Sequence, residues 1–306
     1  MNGRNELVLI DCQQDFCHTK GALYVPGADQ DSIRLADFID RCQRKIDRIH
    51  CTLDSHDEVD VAHPIFWVDS SGQHPDPFTI INVDDVKNAV WTPTKGNIRV
   101  KWGGQEKTLR EHALFYVQQL AANGRYPLCI WPPHCVIGKT IQIPIDDGHG
   151  NPVTFNGDPV YQDFCGHALE RHVSEALVRW MRSRFKKINY VTKGSNPLTE
   201  HYSAVEADVP DPGDPGTQVN APFINLLQQV AVDGGKVIFA GQALNFCVAN
   251  TIRGIISQFG NDLVKHMHLL IDCTSPVPGF DNLTQEFQSD FVTAGGHLVK
   301  STDILL

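Results

Sequence analysis

Three side chains suited to nucleophilic chemistry stand at the ends of apolar runs. Residues 236–251 read Lys-Val-Ile-Phe-Ala-Gly-Gln-Ala-Leu-Asn-Phe-Cys-Val-Ala-Asn-Thr, an apolar run, a turn and a helix. Gly241 permits the turn and Asn245 suits a helix cap, which places Cys247 in a first helical turn. Backbone N–H groups and the helix dipole there favour a thiolate and a developing oxyanion. Asp11 closes Leu7-Val-Leu-Ile-Asp11, and partial desolvation would raise its pKa and improve it as a base. Lys193 ends Ile188-Asn-Tyr-Val-Thr-Lys193, where an ammonium can polarise a carbonyl or support a thiolate. Each has a plainer reading: a small buried thiol, a carboxylate capping its loop, a solvated lysine. Asp15 reads as a residue that braces the loop.

A second group has the chemistry of metal ligands. Asp54 and His56 sit two apart at a strand end, so their side chains can face one cation. Trp131-Pro-Pro-His-Cys-Val136 presents His134 from a rigid turn, with Trp131 as a flat apolar surface. Two histidines and one carboxylate leave positions open for water or ligand, as catalytic metal sites require. His63 is a rival third ligand.

These residues need a scaffold, and the chain alternates strand and helix patterns. Strands are predicted at 7–11, 50–54, 188–193, 236–241, 266–272 and 297–300. Helices are predicted at 32–48, 166–184, 222–232, 245–258 and 282–293. Continuous apolar strands between helices indicate a parallel sheet covered on both faces, and right-handed crossovers make it doubly wound. Ligands gather at the carboxyl ends of such strands. Residues 63–126 break the rhythm, apart from a helix at 106–122, and read as an insertion over the site. The stretch 140–155 reads as a projecting hairpin about Asp147-Gly148.

The bulk numbers agree with an ordinary soluble globular protein. The 306 residues are 42% hydrophobic and 20% charged, enough apolar material for a large core. A formal net charge of −10 argues against a general nucleic-acid binder and against anionic membrane surfaces. The first strand begins too early to leave room for a signal peptide, and nine scattered cysteines read as free thiols in a reducing, cytoplasmic setting. Cys12, Cys17 and Cys135, beside motif residues, read as packing rather than redox sensors.

Taken together, the motifs resemble those of the isochorismatase-like cysteine hydrolases, and nicotinamidases most of all. Asp11-x-Gln-x-Asp-Phe16 with Lys20-Gly-Ala-Leu-Tyr-Val-Pro-Gly27 is similar to the family's first motif. Asp54-x-His56 and Trp131-Pro-x-His-Cys-Val136 are similar to the nicotinamidase metal motifs. Val191-x-Lys-Gly194, Glu200-x-Tyr-Ser203 and Gly241-x-Ala-x-x-x-Cys-Val248 follow in the family's order. The resemblance implies a three-layer α/β/α fold with a six-stranded parallel sheet, in one domain over 1–306 with insertions at 63–126 and 139–165. It implies an Asp11–Lys193–Cys247 triad, a cis peptide before Ala243, and an oxyanion hole from the N–H groups of Ala243 and Cys247. It further implies one divalent ion, Zn²⁺ with Fe²⁺ or Mn²⁺ as alternatives, on Asp54, His56 and His134. Phe16 and Trp131 would then hold a planar ring, the substrate a small amide such as nicotinamide, and the protein a homo-oligomer.

The sequence also departs from that pattern. Nicotinamidases usually carry Asp-Trp-His-Pro where this chain has Asp54-Ser-His-Asp57, and they are shorter. Two other readings therefore stand beside the first: an amidohydrolase of a carbamoyl or ureido compound, and a non-catalytic metal- or ligand-binding relative.

Overall fold

The computed structural model describes residues 3–145, 151–259, 261–304 and 306. Six parallel strands form the central sheet: β1 Asn5–Ile10, β2 Arg48–Asp54, β3 Asn189–Lys193, β4 Lys236–Gly241, β5 Met267–Leu270 and β6 His297–Val299. They run β3-β2-β1-β4-β5-β6 across the sheet. The chain thus builds outward from β1 through β2 and β3, then returns to the other side of β1 with β4. That reversal opens a crevice between the carboxyl ends of β1 and β4, where doubly wound folds bind ligands.

The principal helices are α1 Ala28–Cys42, α2 Leu109–Ala122, α3 Arg171–Arg184, α4 Ala221–Val232, α5 Ala249–Phe259 and α6 Asp281–Thr293. Alternate residues of the inner strands serve opposite layers. Leu7, Leu9, Ile238 and Ala240 pack with Leu35, Phe38 and Ile39 of α1 and Leu177 and Trp180 of α3. Val8, Ile10, Val237 and Phe239 face Leu227 of α4, Ile252 and Ile255 of α5, and Phe287 and Phe291 of α6. All four residues from Leu7 to Ile10 are fully buried, which is why the run is uniformly apolar rather than alternating.

Several predicted boundaries move for local reasons. The first helix starts at Ala28, four residues early, and ends at Cys42 because Arg48 onward pairs with β1. The helix expected at 106–122 starts at Leu109, since Thr108 and Glu111 form a capping box and Gln105–Thr108 pairs with Arg99–Trp102. The helix expected from 166 starts at Arg171, with the Glu170 side chain accepting from the Val173 N–H.

The stretch 63–126 is not a loose flap. Phe66, Trp67, Trp102, Ala113, Tyr116 and Val117 join the same buried cluster as α4 and α5. The predicted hairpin is corrected: Ile141–Pro144 pairs with Tyr161–Phe164, and a short hairpin Thr154–Phe155/Asp158–Pro159 turns at Asn156-Gly157. Asp147-Gly148 lies outside the described residues. All nine cysteines are free thiols, with Cys12, Cys17 and Cys135 buried. No helix among the described residues is long and apolar enough to cross a membrane.

Candidate active site

Asp11 is the first residue past β1 and sits in the left-handed region, φ 47°. Its backbone N–H donates to Thr52 Oγ1 at 3.0 Å, and the Thr52 hydroxyl donates back to Asp11 Oδ1. Lys193 ends β3, two strands away, and its Nζ reaches Asp11 Oδ2 at 2.9 Å and Asp54 Oδ1 at 2.9 Å. The same Nζ donates to Cys247 Sγ at 3.6 Å. Three side chains far apart in sequence therefore meet at the switch point, all of them buried.

Cys247 lies in a single π-type turn, Leu244–Val248, before α5. Gly241 makes that turn possible: its φ is 116°, and a Cβ there would collide with the Ile10 carbonyl oxygen. The peptide between Gln242 and Ala243 is cis. Asn245 is not a helix cap; its side chain accepts from Val277 N at 2.9 Å and donates to Val277 O at 3.0 Å.

Burial sets the protonation of the trio. It pushes the Cys247 thiol well above its ordinary value, and Lys193 only partly opposes this. The resting form is thus a thiol rather than the thiolate expected from a helix terminus. Burial also raises the Asp11 carboxyl, against the pull of Lys193. For Lys193 burial disfavours the charge, but Asp11, Asp54 and Cys247 outweigh it and hold the ammonium. A raised carboxyl beside a raised thiol is a base–nucleophile pair suited to proton transfer.

Beside the trio, Asp54, His56 and His134 offer ligand atoms all within 4.8 Å of one another. Asp54 Oδ2 lies 3.1 Å from His56 Nε2 and 3.4 Å from His134 Nε2. Both rings are tied through Nδ1, His56 to Asp60 Oδ2 at 3.1 Å and His134 to the Pro132 carbonyl at 2.8 Å. With Nδ1 engaged elsewhere, each Nε2 faces Asp54 Oδ2, and the three groups converge on one point as they do where histidines bind metals. His63 packs against both rings, 5.3 Å and 5.8 Å between centroids, and its buried Nε2 has no hydrogen-bond partner among the described residues. The donor set and that orphaned nitrogen fit a divalent cation.

Backbone clamps hold this cluster in place. The Gln13 carboxamide takes both main-chain groups of Asp54, accepting from its N–H at 2.8 Å and donating to its C=O at 2.8 Å. Asp15 braces the loops as expected, accepting from Ala22 N at 2.9 Å and Cys135 N at 2.7 Å. Ser55 bonds His167 at 2.8 Å and so ties this loop to the segment leading into α3.

A narrow pocket opens over Cys247, lined by Phe16, Leu23, Asp54, Trp131, His134, Glu200, Tyr202, Ala243, Phe246 and Val277. Both expected ring-binding residues, Phe16 and Trp131, are in its wall. Trp131 stands edge-on to Phe246 at 4.9 Å and donates through Nε1 to Tyr202 Oη at 2.8 Å. Larger clefts elsewhere, such as that between Arg125, Glu206 and Arg253, are more open and hold no cysteine.

Thr52, Gln13, Asp60 and Glu200 are site-shaping residues that sequence reasoning did not assign. Thr52 carried a signal, lying two before Asp54 on the same strand face. Glu200 is buried, which raises its carboxyl to about 8, and one of its oxygens has no hydrogen-bond partner among the described residues. The Glu200-x-Tyr-Ser203 motif marked it without giving it a role, because its place is set by α2: Tyr116 Oη accepts from Glu200 N at 3.1 Å, and His112 Nε2 bonds the Leu198 carbonyl at 2.8 Å.

No protein-family model matches the chain, and no curated protein matches its sequence. Solved structures do match along the whole chain. A yeast nicotinamidase bound to the inhibitor nicotinaldehyde aligns with TM-score 0.58 and 15% identity, covering 97% of this chain and 99% of that one. A nicotinamidase/pyrazinamidase of Acinetobacter baumanii aligns at 0.54 and 16%, covering all of both chains. A Leishmania (L. infantum) protein in complex with nicotinate aligns at 0.51 and 18%, covering 99% and 96%. The fold is the nicotinamidase fold. At these identities the likeness is one of architecture, an isochorismatase-like α/β sheet with its helices.

Proposed function

We propose that the protein is a metal-containing cysteine amidohydrolase of nicotinamidase type, one domain over 1–306 with two insertions. It would hydrolyse nicotinamide or a related small heteroaromatic amide to the acid and ammonia. The observation that carries this reading is the meeting of Asp11, Lys193 and Cys247 beneath a small aromatic-walled pocket. The planar pyridine ligands of the yeast and Leishmania structures support a flat ring in such a pocket.

Asp11 takes the thiol proton as Cys247 Sγ attacks the carboxamide carbon, and the carbonyl π pair moves to oxygen. The N–H groups of Ala243 and Cys247 receive that oxyanion, with Lys193 stabilising the charge. Collapse expels ammonia with the proton held by Asp11, leaving a thioester. Asp11 then deprotonates water, which attacks the thioester and returns the thiol. Asp54, His56 and His134 would hold the divalent ion, which when bound supplies a Lewis-acid contact for a ring nitrogen. Phe16 and Trp131 orient the ring, and the apolar wall excludes competing water.

The test compares ammonia release from nicotinamide, pyrazinamide and a ureido compound in Zn²⁺-supplemented enzyme. Turnover of the heteroaromatic amides, abolished by Cys247→Ala, is the expected result. Preference for the ureido compound, or amide hydrolysis that survives the substitution, overturns the reading.

A further inference from the structure

Ala243 is held from both sides by residues that line no part of the pocket. On its amino side, Gln242 Nε2 donates to Asp31 Oδ2 at 3.0 Å, and Gln242 Oε1 accepts from Ser275 N at 3.1 Å. The Ser275 hydroxyl donates to the same Asp31 Oδ2 at 2.6 Å, closing a three-residue ring. On the carboxyl side, Leu244 N donates to the Ser275 carbonyl at 2.9 Å. Asp31 and Gln242 are 3% and 1% exposed, so water offers neither a substitute partner.

Asp31 is built into a rigid support. It lies in the first turn of α1, where the helix dipole favours a carboxylate, and Arg34 Nη2 donates to its other oxygen at 2.6 Å. Gly27, at φ 97°, precedes the helix, and a Cβ there would stand 2.9 Å from Ser275 Oγ. The close approach of Ser275 to the helix start thus requires a residue without a side chain. The Gln242 N–H, meanwhile, is fixed by the Ile10 carbonyl at 2.7 Å, one residue before Asp11.

We propose that Asp31 is a positioning residue that sets the direction of the Ala243 N–H through Gln242 and Ser275, an inference that rests on the amidase reading above. A donor aimed at charge that develops only in the transition state affects turnover and leaves ground-state binding alone. Asp31 therefore acts on kcat and on tetrahedral adducts, and has no part in holding the acid product.

The experiment measures five quantities on the full chain carrying Asp31→Ala, Asp31→Asn or Gln242→Met. These are kcat and KM for nicotinamide, the affinity for nicotinate, the affinity for pyridine-3-carboxaldehyde, and the thermal midpoint. The aldehyde adds reversibly: the Cys247 S–C bond forms, the carbonyl π pair moves to oxygen, and the thiol proton ends there. Asp31→Ala is expected to lower kcat and aldehyde affinity together by about 10- to 100-fold, as for small misplacements of catalytic groups. KM and nicotinate affinity should stay within about twofold. Asp31→Asn keeps one acceptor and should fall between Asp31→Ala and the parent. Unchanged kcat in folded Asp31→Ala, or a matching loss of nicotinate affinity, overturns the proposal. Should Asp31→Ala fail to fold, Gln242→Met carries the same test from the other end of the hydrogen bond. If the parent hydrolyses no amide, the functional reading fails, while the aldehyde-to-acid affinity ratio still decides the positioning role.

Discussion

At the scale of single residues, Lys193 is the hub, because one ammonium serves two carboxylates and the thiol. Lys193→Met would leave Asp11 and Asp54 buried without their cation, and a loss of about 3–5 kcal/mol is expected in urea unfolding. Thr52→Val removes a hydrogen bond that lowers the Asp11 carboxyl, whose pKa burial already raises. A base of higher pKa needs higher pH to be ionised, so the acid limb of kcat/KM should move upward, read from a pH–rate profile. Asp60→Asn weakens the acceptor that orients His56, and Zn²⁺ affinity by competition with a chelator should fall about 10- to 100-fold. The positions of Asp11, Asp54 and Lys193 were legible because polar residues end apolar strands, and that of Cys247 because it follows the turn at Gly241. Asp60 was not legible, since its role exists only through the loop that carries it back to His56.

At the scale of elements, the helix Leu109–Ala122 does work its own sequence does not announce. Its capping box and apolar face are readable, but His112 and Tyr116 look like ordinary core residues. In the fold they hold the Leu198–Glu200 backbone that brings Glu200 to the pocket. Tyr116→Phe keeps the ring but strands the buried Glu200 N–H, so a destabilisation of about 1–3 kcal/mol is expected by denaturant titration. The nucleophile turn shows the same limit. Gly241 and the apolar run before it locate the turn, yet Asn245 turned out to clamp Val277 rather than cap the helix. A carboxamide can serve either purpose, and only the neighbouring segment 275–277 selects one. The hairpin expected over 140–155 was likewise not the pairing that Ile141–Pro144 forms, because Asn156-Gly157 offers a turn as good as Asp147-Gly148.

At the scale of the whole molecule, burial of neutral histidines predicts acid sensitivity. His201 is pushed down to about 3 and His268 to about 4, chiefly by desolvation. In the unfolded chain both take protons near the ordinary 6.5, so below that pH the unfolded state binds more protons and stability falls. Asp208, raised by burial to about 6, works the other way, since its folded form keeps a proton that the unfolded form releases. Glu200, raised to about 8, acts in the same direction as Asp208, so the histidine contribution is read by difference: between pH 6.5 and about 4 the thermal midpoint of His201→Gln should fall less than that of the parent.

What the sequence determined by itself is the kind of architecture and which polar side chains stand at its strand ends. Uniformly apolar strands alternating with helices specify a covered parallel sheet, and a polar residue at a strand end marks where chemistry can occur. The tertiary structure decided everything that depends on distance between segments. Strand order brings Lys193 over from β3 to Asp11, and burial keeps Cys247 a thiol where helix position alone suggested a thiolate. Asp31 lies more than two hundred residues from Gln242, and their hydrogen bond follows only from the return of the chain to β4 beside β1. Periodicity is a local property of the chain, whereas desolvation and hydrogen-bond partners belong to the packed whole.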